Sequence, residues 1–164
     1  MLQIEICDGV ATIRMNRPEV HNAFDDALIA ALSAELCRLE QLPEARVIVL
    51  AANGKSFSAG ADLNWMRRMA TYSKEENVRD AMALAGLMRT LDGVKKPTIA
   101  RVQGAAFGGG VGLVACCDIA IASTEAAFSL SEVRLGLIPS VISPYVIAAI
   151  GEREARRYFL TAER

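Results

Sequence analysis

Two glycine-bearing segments dominate the chemistry that this chain can offer: Ser56-Phe57-Ser58-Ala59-Gly60-Ala61-Asp62-Leu63 and Gly104-Ala105-Ala106-Phe107-Gly108-Gly109-Gly110. Each follows an apolar run of strand character and precedes a run of helical character, so each can aim unpaired backbone N–H groups at a single point. Two such points make an oxyanion hole for a carbonyl oxygen that gains negative charge during reaction. Loss of one donor from such a hole typically costs roughly 10²–10³ in rate. Glu132, in Leu130-Ser131-Glu132-Val133-Arg134-Leu135-Gly136, follows a third strand-like segment and adds a carboxylate suited to proton transfer. The competing readings are ordinary turn chemistry for the glycines, which supply unusual φ angles, and an exposed surface position for Glu132.

Other motifs compete for the same residues. Gly110-Val111-Gly112-Leu113-Val114-Ala115 satisfies the G-x-G-x-x-G/A pattern of dinucleotide sites, with Glu125 beyond a following strand as a ribose-binding carboxylate. In that fold the first glycine closes the strand directly, whereas here Gly104 through Gly109 intervene, and the earlier glycine loop is left without a role. There is no Gly-x-Ser-x-Gly elbow, and no cysteine is evidently paired with the sole histidine, His21. His21 reads as a loop residue lining a binding surface, Trp65 and Met66 as core or pocket wall, and Ser129 and Ser131 as strand or loop residues. Cys7, Cys37, Cys116 and Cys117 lack C-x-x-C spacing, so no metal is assigned and the cysteines read as small buried hydrophobes.

With 164 residues the chain suffices for one domain burying roughly two-thirds of its unfolded surface. A net charge of -1, with 52% hydrophobic and 23% charged residues, gives no basic footprint for nucleic acid. No uninterrupted apolar run approaches membrane-spanning length and the first residues lack a signal-peptide pattern, so no membrane partner and a cytoplasmic setting are expected.

The elements that must position the glycine loops follow from the pattern. Asp8-Gly9 between β-branched runs predicts an opening hairpin of Leu2 to Cys7 and Val10 to Met15. A helix starts near Asp25 or Asp26, carries Leu28, Leu32, Leu36 and Leu39 as its apolar stripe, and ends at Pro43. Val47 to Leu50 and Thr98 to Val102 read as buried strands, and Ser73 with Glu76 forms a capping box for a helix through Leu91. Val111 to Cys117 reads as a short buried helix, Asp118 to Ala122 as a strand, and Ile147 to Leu160 as helical segments broken at Gly151. This order predicts an α/β fold with ligand chemistry at strand-to-helix loops. No internal repeat is visible in the residues themselves.

Together, Asn22-Ala23-Phe24, Ser58-Ala59-Gly60-Ala61-Asp62, Gly104 through Gly110, Asp118 and Glu132 resemble the crotonase (enoyl-CoA hydratase/isomerase) superfamily across essentially the whole chain. The resemblance implies a crotonase-like spiral of ββα units over residues 1–164. It implies an acyl-CoA thioester substrate whose oxygen sits between the N–H groups of Ala61 and Gly109, with Glu132 as the catalytic acid/base. Ala23 and Ala59, with Gly60, Asp62, Gly108 and Gly112, are then the expected substrate and CoA contacts. Coenzyme A is part of the substrate, so no separate cofactor is expected. The stretch Ser58 to Ala70 and Ile142-Ser143-Pro144-Tyr145 look like the bacterial methylglutaconyl-CoA hydratases of leucine and isoprenoid catabolism.

Two departures stand out. Typical hydratases of the family use two glutamates, and the position matching the first is Gly112. The family chain is also about a hundred residues longer, judged against ordinary domain sizes, so the chain is expected to stop before a C-terminal helical region that completes the pocket and the homotrimer or hexamer. Weakened CoA binding, self-association and exposure of Ile142, Val146 and Ile147 are the expected consequences. A single carboxylate also suits a double-bond isomerase, and an inactive interaction module is the reading from a different class.

Overall fold

A computed structural model describes all 164 residues. The chain opens with the expected hairpin, β1 (Leu2–Cys7) against β2 (Val10–Met15), paired antiparallel from Leu2 with Met15 to Cys7 with Val10. Asp8 and Gly9 turn it with φ of 51° and 85°, the two positive values that a two-residue turn demands. Helix α1 (Asp26–Gln41) follows, and the Asp25 carboxylate accepts the Leu28 N–H at 2.8 Å. Leu28, Leu32, Leu36 and Leu39 are all buried on its inner face, each contributing about 1.5–3 kcal/mol by leaving water.

Three successive units then repeat one pattern. Strand β3 (Val47–Ala52) leads to β4 (Ser56–Ser58) and helices α2 (Leu63–Met69) and α3 (Lys74–Asp92). Strand β5 (Thr98–Val102) leads to β6 (Ala105–Phe107) and α4 (Gly109–Ala115). Strand β7 (Ile119–Ala122) leads to β8 (Ala127–Ser129), a 3-10 turn at Ser131–Leu135 and α5 (Ser143–Ile150), with α6 (Glu152–Thr161) last. The first strand of each unit joins a five-stranded sheet of order β1-β2-β3-β5-β7, and the second joins a three-stranded parallel sheet of order β4-β6-β8. The architecture is the α/β crotonase-like spiral of ββα units. No helix is long and apolar enough to cross a membrane.

Several local expectations are corrected. The short strands β4, β6 and β8 were not legible as a second sheet, because three residues give no periodicity. Helix α4 begins at Gly109, not Val111, and α5 begins at Ser143, not Ile147. Ile142 and Val146, expected to be exposed, are 2% and 1% exposed because they face inward where α5 packs on α4; Ile147 is open at 39%. Cys7 and Cys37 are exposed, whereas Cys116 is buried and Cys117 half-buried. Apolar side chains stand open instead on the edge strand β7, at Ile119 and Ile121.

Candidate functional site

The three-stranded sheet is the device that assembles the site. Its strands are parallel and adjacent, with Ser56 opposite Ala105, Ser58 opposite Ala106, and Phe107 opposite Ser129. Their C-terminal ends therefore deliver three segments to one place: Ala59–Asp62 after β4, Gly108–Gly109 after β6, and Leu130–Glu132 after β8. Ala59, Gly60, Ala61, Gly108, Gly109 and Glu132 all line one cavity of about 380 Å³.

Neither of the two expected donors is taken up by an acceptor within the chain. Phe24 donates its N–H to the Gly60 carbonyl at 2.7 Å and accepts from the Asp62 N–H at 2.8 Å, an isolated parallel bridge to Ala61. In such a bridge the central residue turns its own N–H away from the partner, and no acceptor in the chain takes the Ala61 N–H. Gly109 is the first residue of α4, where an N–H has no partner within the helix. The loops themselves touch. A Cβ on Gly60 (φ +93°) would stand 3.2 Å from the Phe107 carbonyl oxygen, and one on Gly108 (φ +50°) would stand 3.0 Å from Glu132 Oε1, so only glycine allows both the left-handed turns and the approach.

Glu132 sits in the 3-10 turn after β8, and its Oε2 is buried with no hydrogen-bond partner. Such an orphan is rare in a folded chain. Burial pushes its carboxyl above the usual glutamate range, opposed in part by its own backbone N–H. Ionisation is thus disfavoured in the folded state, and the stability tied to the neutral form is complete below the ordinary value of 4.5 and is lost as pH rises through the raised one. The Glu132→Gln protein, having no such loss, is expected to melt above the unsubstituted protein at pH 8 and level with it at pH 4. The gap should be on the order of 1 kcal/mol for a partly screened group, about 2–4 °C in thermal denaturation followed by circular dichroism.

Three of the expected contact residues do not line this cavity. Gly112 does not line the cavity: a Cβ there would meet Ile142 Cγ2 at 2.3 Å and Met88 Cε at 3.2 Å, so this position is filled by the α4–α5 packing. Asp62 is 7% exposed, caps α2 by accepting the Asn64 and Trp65 N–H groups at 2.8 and 3.1 Å, and faces Arg17 at 3.5 Å. Ala23 is buried, and its carbonyl accepts from Arg17 Nη1 at 2.8 Å. These two residues brace the loop from behind. Arg17 also pairs with Asp25 at 2.8 Å, tying the segment before α1 to the loop before α2.

Two residues that sequence reasoning had only as parts of a motif hold the donors in register. The Asn22 side chain, fully buried, donates to the Asn53 and Ser56 carbonyls at 2.9 Å each and accepts the Arg17 N–H at 2.8 Å. The Phe24 ring packs under Gly109, where an added Cβ would be 3.2 Å from Cε2. Phe24 thus touches both loops, by backbone to one and by ring to the other. Their shared signal was the adjacency of Asn22-Ala23-Phe24.

Most of the remaining candidates do not join the site. His21 does not line the cavity; it takes φ 54° and places Nδ1 3.0 Å from Ser56 Oγ. Gly110, the first glycine of the dinucleotide-like motif, is packed so that a Cβ would lie 2.8 Å from the Ser58 carbonyl oxygen, and Glu125 is exposed. Burial pushes the Cys117 thiol up to about 12, which leaves no thiolate for nucleophilic work. Trp65 and Met66 do line the cavity wall.

The family model described as enoyl-CoA hydratase/isomerase matches residues 5–164. The chain is 36% identical over 166 residues to a hydroxycinnamoyl-CoA hydratase-lyase of Pseudomonas fluorescens, covering 99% of this chain and 60% of that protein. It is 33% identical over 162 residues to 4-chlorobenzoyl coenzyme A dehalogenase-1 of an Arthrobacter species, covering 98% and 59%. The crystal structure of an enoyl-CoA hydratase from Shewanella pealeana superposes with a TM-score of 0.96 at 54% identity, covering 99% of this chain and 61% of that one. The chain therefore spans about 60% of the length of these relatives. It belongs to the enoyl-CoA hydratase/isomerase family, the crotonases.

Proposed function

We propose that the site adds water across the α,β double bond of an acyl-CoA thioester. The observation that carries this reading is the meeting, in one cavity, of an orphaned buried carboxylate oxygen on Glu132 with the acceptor-free N–H groups of Ala61 and Gly109. Addition to a conjugated thioester passes through an enolate. Its oxygen is held by the two N–H groups, donors fixed in advance that cost no reorganisation as charge develops. Glu132, whose carboxyl burial raises above the usual glutamate range, gives a proton to the α-carbon as the enolate collapses. Coenzyme A travels with the substrate, and the resemblance of Ser58 to Ala70 and Ile142 to Tyr145 to the methylglutaconyl-CoA hydratases makes methylglutaconyl-CoA the acyl-CoA of this reading. The trimeric or hexameric assembly implied by the same resemblance belongs to this reading.

A second reading rests on Gly112. With Ile142 occupying the space beside it, the family's other glutamate is missing, and one carboxylate moving a proton between carbons is enough for a double-bond isomerase. One assay separates the two. The protein is given 2-enoyl-CoA and 3-enoyl-CoA thioesters, methylglutaconyl-CoA among them, and products are resolved by mass. A gain of one water from the 2-enoyl substrate supports hydration, an isobaric shift of the 3-enoyl substrate alone replaces it with isomerisation, and no turnover of either overturns both.

A further inference from the structure

Hydration needs two proton transfers at different atoms, one from the attacking water and one to the α-carbon, and Glu132 accounts for one. The family position for a second carboxylate cannot supply it, since Gly112 is closed off by Ile142 at 2.3 Å from where its Cβ would be. The cavity nevertheless holds another carboxylate. Asp80, on α3, lines it together with Glu132, Ala61 and Gly109. The wall around it is largely apolar, with Met66, Met69 and Leu84, and aspartate is a poor residue for a helix interior. Its Oδ2 accepts the Trp65 indole N–H at 3.2 Å, and Trp65 is itself 4% exposed at the start of the helix that Asp62 caps. One oxygen is therefore oriented by a fixed donor, while the other makes no hydrogen bond within the chain.

Resting on the hydration reading above, we propose that Asp80 is the second carboxylate of this site, holding and deprotonating the water that attacks the β-carbon. As the water oxygen bonds to the β-carbon, its proton passes to Asp80 and the π electrons move onto the thioester, giving the enolate held by Ala61 and Gly109. The enolate then takes a proton from Glu132 at its α-carbon. The sum is one water added, with Asp80 protonated and Glu132 ionised, and proton exchange with solvent resets both. Trp65 is the positioning residue of the pair.

The test separates the two proton transfers. Asp80→Asn keeps an acceptor for the indole and removes the base. It is expected to lower hydration by on the order of 10²–10³ while the exchange of α-protons of a 3-enoyl-CoA with D₂O, which needs Glu132 alone, stays within about three-fold. Asp80→Ala should likewise lose hydration and recover part of it with added formate, a readout that a merely structural aspartate does not give. Hydration unchanged in Asp80→Asn, hydration and exchange lost in parallel, or no recovery by formate would each overturn the assignment. Glu132→Gln run beside it should lose the exchange; if it keeps the exchange, the reading of Glu132 fails whatever Asp80 does.

Discussion

Glu132→Gln is expected to lower kcat for enoyl-CoA hydration by on the order of 10²–10⁴, about 3–5 kcal/mol of transition-state stabilisation, with KM changed only a few-fold. Glutamine keeps the shape of the side chain beside Gly108, where a Cβ would stand 3.0 Å from Oε1. It removes the proton that the α-carbon must receive. Binding should survive because the proposed holders of the thioester oxygen are the backbone N–H groups of Ala61 and Gly109, which no side-chain change at residue 132 deletes. Steady-state rates on a short 2-enoyl-CoA check this directly. A rate equal to that of the unsubstituted protein assigns the proton transfer to another group.

The second large effect is structural. Gly104→Ala is expected to destabilise the fold by about 3 kcal/mol, lowering the melting temperature by roughly 6–12 °C. A Cβ at residue 104 would stand 1.9 Å from the Lys55 carbonyl oxygen, 3.0 Å from its carbon and 3.5 Å from Ser56 Cα. All three are backbone atoms, so no rotamer change relieves the clash, and the turn into β6 must move away from β4. That pairing sets the glycine loops side by side, so hydration should fall with stability even though Glu132 is untouched. Thermal melts of the two proteins decide it, and an unchanged melting temperature contradicts the close approach of the two turns.

Local chemistry was legible wherever it acts within a few residues. Asp8-Gly9 specified its hairpin, Asp25 its helix start, and Ser73 with Glu76 a complete capping box, in which the Ser73 N–H donates to Glu76 at 2.8 Å and the Glu76 N–H to Ser73 Oγ at 3.2 Å. Trp65 and Met66 stand in the pocket wall, as their place at the start of a helical stretch suggested. The roles of Ala23, Asp62 and Gly112 were not legible in the same way, because whether a small or capping residue faces a ligand or a neighbouring helix depends on what packs against it. Ile142 lies thirty residues from Gly112 along the chain, and nothing near Gly112 announces that its side would be filled. Asp80 belongs to no motif along the chain, and its place in the site shows only where the Trp65 indole N–H reaches its carboxylate.

Turn angles, caps and apolar periodicity are set by neighbours along the chain, so the α/β class, the major helices and strands, the two glycine loops and the one family-matched carboxylate could be read from the residues alone. That these parts meet is a result of long-range pairing. Strands of three residues carry no periodic signal, yet their parallel pairing between segments far apart in the chain brings Ala61, Gly109 and Glu132 to one cavity. The same packing shut Gly112 against Ile142 and opened the cavity to Asp80. Which carboxylates share a site is a property of packing between distant segments, and no window of sequence contains it.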